Sequence, residues 1–128
     1  SVEAYLAFDP ARRGDLESVD KLIRASGFMR YFHSGTPKGQ RGMRFKMIGY
    51  GRSVSRNGVE WPIVGVALQK NYISIYLAGE DIVATLRAYK GLLGETRMGA
   101  GNFSFVRFAQ LSREPLEALM ADVANQIA

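Results

Sequence analysis

From Trp61 to Leu77 the chain alternates with a period of two, and the alternation is lopsided. If Lys70–Asn71 turns the chain between two strands, then Val64, Val66, Leu68, Ile73, Ile75 and Leu77 share one face. That face is purely aliphatic and has to be covered. Asn57–Gly58 is a strong hairpin signal that adds a strand before this pair. Two-residue turns at both places set Val54 opposite Trp61, Arg52 opposite Ile63, Gly65 opposite Tyr76 and Ala67 opposite Ser74. The second face then holds Tyr50, Arg52, Val54, Trp61, Ile63, Gly65, Ala67, Tyr72, Ser74 and Tyr76. It is aromatic at its rim and small at its centre. Pro62 lacks a backbone donor, so irregular pairing is expected beside it.

The flanking sequence supplies the cover. "SVEAYLAF" reads as a short helix, and Asp9 with Pro10 as the cap and first position of a second. Leu16, Val19, Leu22 and Ile23 recur at helical spacing up to Gly27. "FMRYFHSGTPKGQRG" reads as an aromatic and basic loop. Ile82, Val83, Leu86, Tyr89 and Leu93 mark a third helix, and Leu116, Leu119, Met120, Val123 and Ile127 a fourth, capped by Ser112 with Pro115 in its first turn. The expected fold is α+β: a single two-layer domain over residues 1–128, an antiparallel sheet of four to five strands with helices largely on one face.

"GAGNFSFVRF" imitates the aromatic strand of an RNA-recognition domain through Phe103, Phe105, Val106 and Phe108. That fold needs a strand before its first helix and another after the aromatic one. Neither is legible here. Gly101 and Asn102 also stand where the motif has a basic residue and glycine. The expectation is a buried strand with Phe103 and Phe105 turned inward.

Taken together, "MIGYG", "WPIVGVALQKNYISIY", "LLGETRMGAGNFSFVRFAQL" and "EPLEALM" resemble the YdhG-like family of small bacterial domains of unknown function. The resemblance runs from about Phe28 to the C-terminus and implies a two-layer α+β fold. One branch of that family is described as a frataxin-like iron chaperone. It implies no catalytic or metal-binding residue at any position of this chain.

Composition narrows the chemistry. Cysteine is absent and His33 is the only histidine, which excludes disulfides, thiolate metal sites and a multi-histidine centre within one chain. Iron without cysteine needs clustered carboxylates or histidines. Here Glu80 with Asp81, and Glu114 with Glu117, read as carboxylates favoured at helix N-termini. The net charge is +5 and unevenly spread. Arg30, Lys38, Arg41, Arg44, Lys46, Arg52 and Arg56 crowd between Phe28 and Gly58 with no acid among them, whereas Glu114–Ala128 holds acids and no base. No apolar run is long enough to span a bilayer and "SVEAYLAFDP" does not read as a signal peptide, so a cytoplasmic protein is expected.

Three local features compete for function. "GLLGETRMGAG" can cradle an anion through backbone N–H groups and Arg97, although it is neither a P-loop nor a dinucleotide fingerprint; a helix end followed by a strand entry explains Gly94 to Gly101 without any ligand. His33 has no acid beside it in sequence to build a catalytic constellation. The aromatic and basic sheet face is the strongest candidate. Its expected ligand-contacting residues are Arg44, Lys46, Tyr50, Arg52, Trp61, Tyr72 and Tyr76, with Arg97 nearby. The reading is a non-enzymatic binding module for an anionic small molecule or nucleic acid, with no cofactor, no metal and no membrane. An iron-binding chaperone and a dimerising interaction module are the alternatives. Monomer and dimer both stay open, and an enzyme is the least supported.

Overall fold

The computed structural model describes residues 1–35, 45–54 and 58–126. Helices α1 (Val2–Ala7) and α2 (Arg13–Arg24) precede strands β1 (Arg30–Gly35), β2 (Phe45–Val54), β3 (Glu60–Leu68) and β4 (Ile73–Leu77). Helix α3 (Ile82–Ala88), strands β5 (Arg97–Met98) and β6 (Asn102–Phe105), a single 3₁₀ turn at Phe108–Gln110 and helix α4 (Arg113–Gln126) complete the chain. The strands form one antiparallel sheet in the order β1-β2-β3-β4-β6-β5. The α+β class is as expected, with six strands in place of four or five.

One hydrophobic cluster joins the helices to one side of this sheet. Val2 and Leu6 of α1, Leu16, Val19, Leu22 and Ile23 of α2, Ile82 and Leu86 of α3, and Leu116, Leu119, Met120 and Val123 of α4 close over Val64, Val66, Ile73, Ile75 and Leu77. Phe103 and Phe105 of β6 are buried in the same layer, as their alternation requires. Val83 is exposed and does not join the core stripe of α3. Helix α2 begins at Arg13, later than the capping signal at Asp9 suggests. Asp9 instead accepts from the Ala11 N–H (3.1 Å) and from Arg12 Nε (2.8 Å). The Arg12 guanidinium beside it holds its carboxyl below the usual range. Arg12 in turn donates to the carbonyls of Gln69 (2.6 Å) and Tyr72 (3.0 Å), fastening the β3–β4 turn to the helix layer.

Two expectations are corrected here. The segment expected as a loop after Gly27 begins with β1, which pairs Arg30 to Tyr50 and Gly35 to Phe45; the rest of that stretch lies outside the described residues. The β3–β4 register is as expected, but β2 is displaced by one residue against β3. Ser53 faces Trp61 and Val54 faces Glu60, because the connection spans residues 55–59 where a two-residue turn was assumed. Asn57 of that turn lies outside the described residues. A one-residue shift exchanges the faces of a strand. Ile48 and Tyr50 therefore sit beside Val66 and Val64 under the helices. The irregularity expected at Pro62 falls on the partner strand. Gly51 has φ +72°, and a Cβ there would come within 2.8 Å of Ile63 Cδ1, so only glycine fits. Ile63 itself joins the buried cluster and does not line an open face.

The inward Tyr50 is held by a polar network under the sheet. Its hydroxyl donates to Asp20 Oδ1 (2.7 Å), and Arg30 donates to Asp20 Oδ2 (2.8 Å), with Arg24 at 3.5 Å. Asp20 is buried, so these donors replace the water it has lost. Burial, then the hydrogen bond and charge of Asp20, push the Tyr50 hydroxyl far above the ordinary tyrosine range. Asp20→Ala should destabilise the fold by about 3 kcal/mol, since it leaves the buried Tyr50 hydroxyl without its acceptor and Arg30 with only the exposed Glu3 at 3.5 Å. Tyr50→Phe should cost about 1–2 kcal/mol. Urea denaturation measures both. Losses within about 0.5 kcal/mol of zero, the range of ordinary surface changes, would contradict the role given to the network.

Candidate ligand-binding face

Directly paired residues of adjacent strands share a face, so the register defines what the uncovered side presents. One row across the sheet reads Tyr31, Gly49, Gly65, Tyr76 and Asn102. The next reads Ala67, Ser74, Ser104 and Arg97. Small residues run through the middle of both, and they are used differently on the two halves of the sheet.

On the β1–β3 half the space above the glycines is already filled. A Cβ on Gly49 would meet Tyr31 Cζ at 2.6 Å, and one on Gly65 would meet Met47 Sδ at 2.5 Å. The Tyr31 ring and the Met47 thioether thus lie across the strands. His33 stands edge-on to Tyr31 (centroids 6.2 Å) and to Trp61 (5.1 Å). The left-handed Gly51 interrupts the alternation after the inward Tyr50, and Arg52 reaches the uncovered face. There its guanidinium carbon lies 3.7 Å from the Tyr31 ring centroid and the side chain pairs with Glu60. Tyr31 Oη and His33 Nε2 are buried without a hydrogen-bond partner among the described residues. Desolvation accordingly raises the Tyr31 hydroxyl and lowers the His33 imidazole from their ordinary values.

Among the described residues the β4–β6 half is open. Above Ser74 and Ser104 lies a cleft of about 520 Å³ walled by Tyr72, Tyr76 and Asn102, with Arg97 and Glu95 also on its lining. Tyr72 is 42% exposed at its lip, on the turn that Arg12 clamps. Ser104 faces both Ser74 and Arg97, which sets two hydroxyls and a guanidinium in line. Among the described residues Arg97 makes no ion pair. Such a row can hold a carboxylate or phosphate by charge-assisted hydrogen bonds.

The residues singled out from sequence therefore separate. Tyr72, Tyr76 and Arg97 come together in the cleft. Arg52 and Trp61 belong to the other half of the face, and Arg52 is already engaged by Tyr31 and Glu60. The placement of Tyr50 on this face is corrected: it is fully buried on the helix side. Lys46 lines a separate groove with Tyr5, Phe8 and Phe32. In that groove Tyr5 Oη donates to the Lys46 carbonyl (3.1 Å) and accepts from the Leu68 N–H (2.7 Å). Arg44 lies outside the described residues. The Gly-rich stretch serves packing at Gly94, where a Cβ would meet the Gln110 carbonyl oxygen at 2.2 Å, and its Arg97–Met98 portion is a strand.

Sequence reasoning weighed His33 only as a catalytic residue and missed Tyr31, Asn102 and Ser104. The last two were within reach. They are the polar positions in an alternation whose apolar positions, Phe103 and Phe105, point inward.

Protonating His33 would place a charged donor at a buried, unpartnered Nε2, so the fold favours the neutral ring. The unfolded chain takes up the proton near pH 6.5, while the folded chain does so only at lower pH. Stability contributed by neutral His33 is thus complete above pH 6.5 and is lost as the pH falls below it. Thermal melts at pH 7 and pH 5 should show a larger drop in Tm for the native chain than for His33→Gln. Equal drops would contradict it. No family model, curated protein or solved structure matches the chain, so the reading of this face rests on its geometry.

Proposed function

We propose that the domain is a non-enzymatic binding module whose ligand is a small anionic molecule held in the β4–β6 cleft. The observation that carries this reading is the row Ser74–Ser104–Arg97 on the cleft floor and lining, with a cation free of ion pairs among the described residues. The volume suits a small molecule, and Tyr72 and Val106 offer apolar surface for the rest of it. A long nucleic acid strand would need successive cations along its track. The cleft lining supplies one arginine, balanced by Glu95.

The resemblance to the YdhG-like family enters at this level too. It agrees with a small α+β binding domain. Its iron-chaperone branch would call for converging donors, and among the described residues no three of His, Asp and Glu come together. The cleft reading is therefore preferred to iron handling.

The test uses 3-phenylpropionate, a ring joined to a single carboxylate, followed by isothermal titration calorimetry. Arg97→Gln should weaken binding about tenfold or more, since a hydrogen bond to a charged group is worth about 1.5–3 kcal/mol. Arg52→Gln should leave it within about twofold. No measurable binding, or the reverse dependence on the two arginines, would overturn the proposal.

A further inference from the structure

We infer that the ligand of this cleft is a zwitterion of the α-amino acid class, in which Arg97 takes the carboxylate and Glu95 the ammonium. The inference rests on the cleft reading above and adds the second charge. Both residues line the same cavity two positions apart, and among the described residues neither pairs with an opposite charge. A surface carrying +5 overall has cations to spare, yet among the described residues the charged groups on this lining are one of each sign.

Glu95 is also held in place. Gln110 Nε2 donates to Glu95 Oε2 (3.1 Å), while Gln110 Oε1 accepts from the Arg107 N–H (3.0 Å), so the amide is clamped from both ends. The Glu95 backbone N–H donates to the Gln110 carbonyl (3.0 Å). The Arg107 side chain and the Phe108 N–H are in turn tied to Asp15 of α2 (3.1 and 3.0 Å), which anchors this turn to the helix layer. One carboxylate oxygen is thereby oriented by the protein and the other is left to accept. A ligand with only an anion would meet Arg97 and be repelled by Glu95. A ligand with only an ammonium would meet the converse. A carboxylate and an ammonium on neighbouring atoms answer both, and an apolar side chain has Tyr72 and Val106 to lie against.

Three compounds separate the contributions: L-phenylalanine, 3-phenylpropionate without the amino group, and 2-phenylethylamine without the carboxylate. Calorimetry should find L-phenylalanine at least tenfold tighter than either of the others. Glu95→Gln, which keeps an oxygen for Gln110, should abolish that advantage over 3-phenylpropionate while leaving 3-phenylpropionate itself no weaker. Arg97→Gln should weaken both carboxylates alike. If L-phenylalanine binds no better than 3-phenylpropionate while both depend on Arg97, the zwitterion inference fails and the anion site stands. If neither carboxylate binds, both fail. An advantage of L-phenylalanine that survives Glu95→Gln would also overturn the inference.

Discussion

A hydrogen bond beneath the sheet, from the Tyr50 hydroxyl to the buried Asp20 carboxylate, holds Tyr50 of β2 on the helix side. Everything above the sheet follows from it. A carboxylate taken out of water must find donors, and α2 presents this one to β1 and β2, where Arg30 and Tyr50 supply them. With Tyr50 committed inward, its neighbours across the strands are Arg30 and Val64, and the alternation then places Tyr31, Gly49 and Gly65 on the uncovered side. A slip of one residue would turn Gly49 inward, expose Tyr50 and take from Asp20 the donor to its Oδ1. Apolar packing alone discriminates weakly between the two registers, because β2 carries Met47 and Ile48 in succession. The polar pair supplies the discrimination.

The uncovered face is divided by what lies over its small residues. Tyr31 and Met47 fold across Gly49 and Gly65, so the β1–β3 half is a packed aromatic layer that incorporates His33 and Trp61. On the β4–β6 half the glycine row continues as Tyr76 and Asn102, and a cavity remains above the serines of the next row. The cations divide likewise. Arg52 lies against an aromatic face and an acid, which consumes its charge, whereas Arg97 reaches the cavity without an acidic partner among the described residues. A basic chain thus presents one usable cation in this cleft, beside one oriented carboxylate.

Much of the fold was legible because the alternation in β3, β4 and β6 is strict. The aliphatic face of Val64 to Leu77, the inward Phe103 and Phe105, the stripe of α2 and that of α4 up to Val123 stand where the periodicity puts them, Ile127 lying outside the described residues. Strand β1 was not legible, since its aromatic and polar residues run into a Gly- and Pro-rich stretch and show no clean period. The β2 register failed by one residue because a tempting Asn-Gly pair sits inside a longer connection. Gly51 and Asp20 act through partners distant in sequence, and local pattern carries no trace of them. Of the site, Tyr72, Tyr76 and Arg97 were legible as aromatic and basic residues near the sheet, but their separation from Trp61 and Arg52 depends on the register. Asp20 and Tyr50 together show why a buried polar pair is the hardest element to read: each residue alone resembles a surface residue.

The central claim is that the two halves of the uncovered face differ, one packed and one receptive. An amide chemical-shift map recorded while L-phenylalanine is added tests it most directly. The account predicts shifts concentrated at Ser74, Tyr76, Asn102, Ser104 and Arg97, with the Trp61 indole N–H and the amides of Tyr31 and His33 unmoved. Shifts centred on Trp61, His33 and Arg52, with the β4–β6 residues silent, would contradict it.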